Sequence, residues 1–228
     1  DHGHYLGDTD VYGRDVWGKP GIPVYKPLGH IPMLIAWPGV APTTNDALTT
    51  STDIHATIAD IFDAPIKHTA HGSSLVPLID GTSTTVRDWL LTGVWGREVQ
   101  LVTNEWRYTK GPQGKNMPQS MWSNRWSTMP IASMPDYKMP VPDNRASLDF
   151  MPGSAIPVIR QPFREGDLLP FWAYAKQYET MMFDRSEDPD ETVNRIGDAI
   201  AKEAEELLRV AMHEVGAPSE QFERLDLV

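Results

Sequence analysis

The sequence predicts an α/β protein in two parts. The first is a portion of a mostly parallel sheet with its helices; the second is a small antiparallel sheet packed with a C-terminal helix. Three observations carry this reading. Residues 31–37, Ile-Pro-Met-Leu-Ile-Ala-Trp, are a short apolar run without alternation that stops at Pro38-Gly39, the pattern of a strand buried on both faces. Short β-prone runs at 89–95, 98–103 and 106–109, separated by Gly-Arg and Asn-Glu turns, form the pattern of an antiparallel meander. The clearest helical stripe comes last, over 189–215.

Composition bounds the answer before any motif does. The 228 residues are 40% hydrophobic and 22% charged, and no run of 18 apolar residues occurs, which excludes a membrane-spanning helix and a disordered composition. Twenty Lys and Arg against 31 Asp and Glu leave a net charge of −11, which argues against nucleic acid as a partner. There is no cysteine, hence no disulfide framework, no thiolate zinc site and no thiol nucleophile. Periplasmic, secreted and cytoplasmic locations are all compatible with these numbers, and so is self-association. The chain opens on Asp1-His2 without an initiator methionine, so its reading frame is expected to start upstream.

In chain order, residues 1–30 are punctuated by six glycines and by Pro20, Pro23 and Pro27, which predicts turns and close backbone approach rather than a periodic element. The apolar strand at 31–37 tolerates Pro32 because it stands near the start. A helix follows, with Ser51 or Thr52 as N-cap and Asp53 in the first turn. Ile54, Thr57, Ile58, Ile61 and Phe62 share one face, and Asp63-Ala64-Pro65 ends it. Residues 72–81 read as a single helical turn. Residues 1–85 are thus assigned to the large α/β domain and 86–228 to the smaller one. Within the latter, 111–164 hold nine of the 20 prolines and six of the ten methionines with little periodicity, and read as an arm wrapped over the body. The final helix is set up by Asp188-Pro189 and a carboxylate at Glu191. Val193, Ile196, Ile200, Ala204, Leu207, Ala211 and Val215 make its stripe, and Gly216 with Pro218 closes it. Its polar face is acidic, a solvated surface rather than a membrane binder.

The densest set of candidate ligands is Asp1-His2-Gly3-His4, where adjacent carboxylate and imidazole donors in a glycine turn suit a divalent ion. On spacing alone a polar surface turn fits as well. The surroundings add more. Asp1-His2-Gly3-His4-Tyr5-Leu6-Gly7-Asp8, then Gly18-Lys19, then His30 through Ile35 resemble the sulfatase family of the alkaline-phosphatase-like superfamily. Thr52-Asp53-Ile54-His55-Ala56-Thr57 looks like the helix after the Ile-Pro strand. Gly72 through Ile79 look like the family's G-x-S-L-x-P-L stretch. Phe183-Asp184 with Asp188-Pro189, Glu191 and Asn194 resemble its D-P-x-E-x-x-N segment near the C-terminus. The matches fall in family order at both ends and leave only the Met/Pro-rich arm unmatched.

The resemblance implies roles residue by residue. Asp1 and His2 fall where sulfatases supply two ligands to a divalent cation, usually Ca²⁺, with Mg²⁺ or Mn²⁺ as alternatives. An imidazole is a less typical Ca²⁺ ligand, so His2 either binds the metal or hydrogen-bonds the sulfate or nucleophile. Lys19 falls on the family's Gly-Lys, whose ammonium contacts sulfate oxygens and would stabilise charge on the leaving group. The stretch from Gly7 to Lys19 is a few residues longer than in many relatives, so Gly13-Arg14 competes for that position. His30 either points into the site or stays structural; His4, His55, His68 and His71 read as structural. Trp122, Trp126, Tyr137, Phe150, Phe163, Trp172 and Tyr174 either anchor the arm or rim a substrate pocket.

Relatives attack sulfur with a formylglycine made from Cys or Ser in a Cys/Ser-x-Pro/Ala-x-Arg motif. No serine here stands in one: Ser133-Met134-Pro135-Asp136-Tyr137 fails because Tyr137 occupies the Arg position. The expectation is therefore the C-terminal portion of a sulfatase acting on a sulfate-ester small molecule or glycan. Its nucleophile would come from a missing N-terminal part of the same protein, and the chain would be inactive alone. Phosphonate monoester and phosphodiester hydrolases share the same features and remain an alternative, as does a non-catalytic binding or assembly module.

Overall fold

The structure is a computed structural model describing residues 2–10, 12–18, 24–124, 126, 140–174 and 179–228. It opens on a hairpin of β1 (Tyr5–Thr9) and β2 (Asp15–Gly18), followed by three helices: α1 (Lys26–Gly29), α2 (Thr52–Ile61) and α3 (Val76–Ile79). Then come β3 (Leu90–Gly93), β4 (Val99–Val102) and β5 (Trp106–Lys110), the antiparallel meander read from the sequence. β6 (Gln119–Ser123), β7 (Ser147–Phe150) and β8 (Pro157–Phe163) form a separate antiparallel sheet in the order β6-β8-β7. Finally β9 (Met181–Asp184) joins β5 to complete a four-stranded sheet, and α4 (Ile200–Glu214) and α5 (Ser219–Leu225) close the chain.

The four-stranded sheet divides the molecule because its inner strands are buried on both faces. Along β9 successive side chains point to opposite faces. Met182 joins Leu101 and Tyr108 beneath α4 and α5, against Ala204, Leu208, Met212 and Leu225. Met181 and Phe183 face the other way and pack with Tyr5, Val16, Tyr25 and Leu28 of the hairpin and α1. Each large apolar side chain buried in this way contributes about 1.5–3 kcal/mol. The N-terminal hairpin is thus clamped to one face of the sheet and the C-terminal helices to the other.

Four elements differ from the sequence reading. Residues 31–37 are not a strand: they pair with nothing described, and Leu34 is 90% exposed. A strand buried on both faces needs neighbours for its backbone, and every strand pair among the described residues is antiparallel and lies elsewhere. The parallel portion is therefore not formed by these residues.

Helix α2 forms where expected but faces the other way. Asp53, Ala56 and Thr57 are buried, whereas Ile54, Ile58, Ile61 and Phe62 are 48–75% exposed. Hydrogen bonds decide this. Thr57 donates its hydroxyl to Asp53 O (2.7 Å) and accepts the Leu75 N–H (2.9 Å), tying the polar side to residues 72–75.

The last helix starts at Ile200 rather than near residue 189. Side chains satisfy the intervening backbone instead. Asp188 accepts the N–H groups of Thr192 and Val193, Asn194 accepts those of Met182 and Ile196, and Glu191 takes a left-handed backbone, φ 56°.

Residues 111–164 carry β6, β7 and β8 rather than a structureless arm. Their prolines hide the strand pattern yet sit where a ladder tolerates them. Pro157 starts β8, and Pro162 pairs with β6 beyond the last β7 pair, Ser147–Arg160.

Candidate functional site

The hairpin is held by its neighbours at several points. Gly3 donates its N–H to Leu28 O (2.8 Å), and any Cβ on Gly3 would lie 2.0 Å from Pro27 O. Only glycine allows this approach. The buried Tyr5 hydroxyl accepts the Tyr25 N–H (3.2 Å), and burial pushes its pKa well up, so the phenol stays neutral. Tyr25 meets Phe183 edge-on at 5.7 Å.

Behind the hairpin lies a buried ion pair. Arg107 Nε donates to Glu191 Oε1 (2.7 Å), with side chains 5% and 0% exposed. Arg107 Nη1 donates to Val24 O (2.7 Å), and Glu191 Oε2 accepts the Lys26 N–H (2.8 Å). The pair therefore grips both ends of residues 24–26. A cavity of about 20 Å³ remains between the hairpin, α1 and Asp190-Glu191, room for a single water and not for a substrate.

The candidate residues are distributed unevenly over this frame. Asp1 and Lys19 lie outside the described residues, as does Tyr137. Their described neighbours share one end of the hairpin: Tyr5 pairs with Gly18, and the His4 ring lies beside Gly18. His2 is exposed there, its Nδ1 2.6 Å from Gly3 O. His30, also exposed, follows α1 two residues after the carbonyl that binds Gly3.

Arg14 is not brought to this end. It stands at the hairpin turn, four residues of strand away from Gly18, which is about 13 Å. Its guanidinium donates to Asp10 through Nε (2.9 Å) and Nη2 (2.6 Å) and lies over the Tyr12 ring. Burial raises the Asp10 pKa, but Arg14 and two backbone N–H groups outweigh it and hold the carboxyl below its usual range.

The family-like motifs further along prove to be scaffold. Asp53 is fully buried and takes both Arg87 nitrogens at 2.5–2.6 Å, together with the N–H groups of Thr50 and Ser73 at 2.8 Å. Gly72 must be glycine because a Cβ would lie 2.2 Å from Thr52 O. The His55 and His68 rings stack at 5.4 Å. Phe163, Trp126 and Trp172 pack together around Leu169, and Trp122 donates to Asp149. Phe150 is exposed.

Sequence reasoning missed Arg87 and Arg107 as positioning residues. The readable signal was a lone Arg107 between Trp106 and Tyr108 in a β-prone run, where a buried cation demands a carboxylate partner.

Among the described residues no three His, Asp or Glu side chains could together hold a metal ion. These residues alone therefore do not fit a divalent-cation centre, and donors from outside them would be needed to complete one. No helix among them is long and apolar enough to cross a membrane.

No family model matches the chain. It is 26% identical over 114 residues to the choline-sulfatase of Rhizobium meliloti (strain 1021), covering 47% of this chain and 21% of that protein. The chain thus matches about a fifth of its curated relative's length. A solved chain from the metabolism of multiple glycosaminoglycans by Bacteroides thetaiotaomicron aligns over 70% of this chain and 24% of that one. Its identity is 14% and its TM-score 0.36, too slight a likeness to carry an argument. The choline-sulfatase match shows the relationship to sulfatases that the motifs indicate.

Proposed function

We propose that this chain is the C-terminal portion of a sulfatase, hydrolysing sulfate esters with a formylglycine supplied by sequence that precedes it. Asp1 and His2 are the residues it offers to a divalent ion, Ca²⁺ or else Mg²⁺ or Mn²⁺, and Lys19 the cation it offers to the sulfate. The ion would supply charge to hold the nucleophile. This chain's own part is to present His2 from the Gly18 end of the hairpin, with His30 close in the chain to α1, and to supply Lys19, next in sequence to Gly18, with Arg14 as the weaker claimant to the sulfate. In this arrangement residues 1–85 complete the large α/β domain and 86–228 form the smaller one.

One observation carries the proposal. Ile54, Ile58, Ile61 and Phe62 on α2 are half or more exposed, and the apolar run at 31–37 lies unpaired in the same part of the chain. A contiguous apolar face of this kind marks a surface that another body of protein covers. An apolar run and an apolar helix face both left exposed fit the edge of a larger α/β domain. The partial match to a much longer sulfatase supports the same reading.

The test is to express the chain with the sequence preceding Asp1 in its gene, seek formylglycine by mass spectrometry and assay an aryl sulfate. The longer protein is expected to carry the modification and turn over, while the 228-residue chain stays inactive. Turnover by the short chain alone, or a preceding sequence without the Cys/Ser-x-Pro/Ala-x-Arg motif, overturns the proposal.

A further inference from the structure

We propose that a groove on the α5 side of the four-stranded sheet binds an amphiphilic monoanion, a carboxylate or sulfonate carried on a flat apolar body. The groove measures about 380 Å³, within the range of small-ligand sites, and apolar groups dominate its lining. Leu91 and Val99 form one wall, Trp95 and Trp122 another, and Pro218 and Arg224 of the α5 segment the third. It lies with α4 and α5, across the sheet from the hairpin that carries His2, so it is separate from the site proposed above.

The charge at its wall is specific. Arg224 is 2% exposed. Nε and Nη2 donate to Gln221 Oε1, and Nη1 donates to Arg97 O (2.8 Å) and Asn116 Oδ1 (2.7 Å). These four bonds go to neutral acceptors, and a guanidinium has five N–H groups, so one Nη2 hydrogen is left over. Neither nearby carboxylate makes an ion pair with it, although Glu220 Oε1 is buried without a hydrogen-bond partner. Glu98, which also lines the groove, pairs with Arg97 at 3.3 Å. Glu220 Oε2 takes the Ser120 hydroxyl (2.8 Å) and Arg160 (3.1 Å). Among the described residues Arg224 is therefore a buried cation with no carboxylate in ion-pair contact, an arrangement that an incoming anion would compensate. Burial accordingly pulls its pKa down to about 10, with Glu98 and Glu220 offsetting only part of the effect.

The rings are fixed for stacking rather than for donating. Trp95 spends its indole N–H on Ser120 O (3.1 Å) and Trp122 on Asp149 Oδ2 (2.8 Å). Arg160 covers one face of Trp122 at 5.5 Å, and Phe163 meets Trp95 edge-on. The groove can thus offer indole surface to a flat apolar body and the charge of the Arg224 guanidinium in its wall to the anionic end. The outer edge of β3 pairs with no described strand and forms the open side of the groove.

The experiment titrates the 228-residue chain with 2-naphthoate and with its neutral isostere 2-naphthamide, read by calorimetry and tryptophan fluorescence. The carboxylate is expected to bind at least about tenfold more tightly than the amide. Val94→Trp, at a groove-lining residue 36% exposed just past β3, is expected to abolish binding with the melting temperature unchanged. Arg224→Lys, if it folds, should narrow the preference for the acid. Equal affinity for acid and amide, undiminished binding by Val94→Trp, or no binding of 2-naphthoate at about 1 mM overturns the proposal.

Discussion

Arg107 and Glu191 meet at 2.7 Å with their side chains almost wholly out of solvent, 84 residues apart in sequence. Together they hold Val24 O and the Lys26 N–H, so one buried ion pair fixes where α1 sits and, through Leu28 O and Gly3, where the hairpin begins. Glu191 adopts its left-handed backbone at a cost of about 1 kcal/mol, which the pair offsets. Glu191→Gln removes the charge and leaves Arg107 buried without it. The expected loss is about 3–5 kcal/mol in urea unfolding. Hydrogen exchange should rise first at residues 24–29. A loss below about 1 kcal/mol would mean that water reaches Arg107 and that the pair is not the anchor.

Asp53 and Arg87 make the corresponding clamp between α2 and residues 72–75. Burial raises the Asp53 pKa, but Arg87 and the N–H groups of Ser73 and Thr50 prevail and hold it below its usual 3.8. A carboxyl with a depressed folded-state pKa contributes stability that is fully present above its unfolded value and lost as pH falls through the folded one. Acid unfolding is therefore expected to steepen below about pH 4. Asp53→Asn should cost about 3 kcal/mol at pH 7 and flatten that slope. An unchanged slope in the variant would assign the acid transition to other carboxyls.

How much of this was readable depends on where the information lies. The meander over 89–109 was legible because alternation, turn residues and strand length agree locally, and the register Leu91–Leu101–Tyr108 follows from them. β8 was not, because Pro157 and Pro162 read as breakers and only the three-dimensional pairing shows that neither is asked for a ladder hydrogen bond. Residues 189–199 do not continue the helix, because a capping pattern and an apolar stripe say nothing of Asn194, whose side chain serves β9 through the Met182 N–H. Of the site, the motif His2-Gly3-His4 was visible as residue types, but the need for glycine at position 3 is a contact with Pro27 O. The face of α2 is legible as apolar but not as buried, since the described residues leave Ile54, Ile58, Ile61 and Phe62 exposed.

That face yields a two-sided expectation. Ile58 is 51% exposed, so Ile58→Glu in the 228-residue chain should change stability by less than about 0.5 kcal/mol and reduce self-association by light scattering. In a longer protein carrying the preceding sequence the same substitution should cost about 3 kcal/mol or more, since it would bury an unpaired charge. Equal effects in both contexts would show that the face stays open to solvent in the longer protein.

The two claimants to the sulfate position can be separated kinetically in that longer protein. Arg14 stands at the hairpin turn with its side chain 52% exposed and its guanidinium on Asp10, so Arg14→Ala removes a half-exposed pair worth less than about 1 kcal/mol. Aryl sulfate turnover is expected to stay within about threefold of the parent, because that pair lies about 13 Å along the strand from the Gly18 end. Lys19 follows Gly18 in sequence, and an ammonium that meets charge developing on sulfate oxygens is worth about 10²–10³ in kcat. Lys19→Ala should show that loss with stability unchanged, and Lys19→Arg should recover part of it, since a guanidinium also binds sulfate oxygens. The reverse order of effects would move the sulfate contact to the turn and assign it to Arg14.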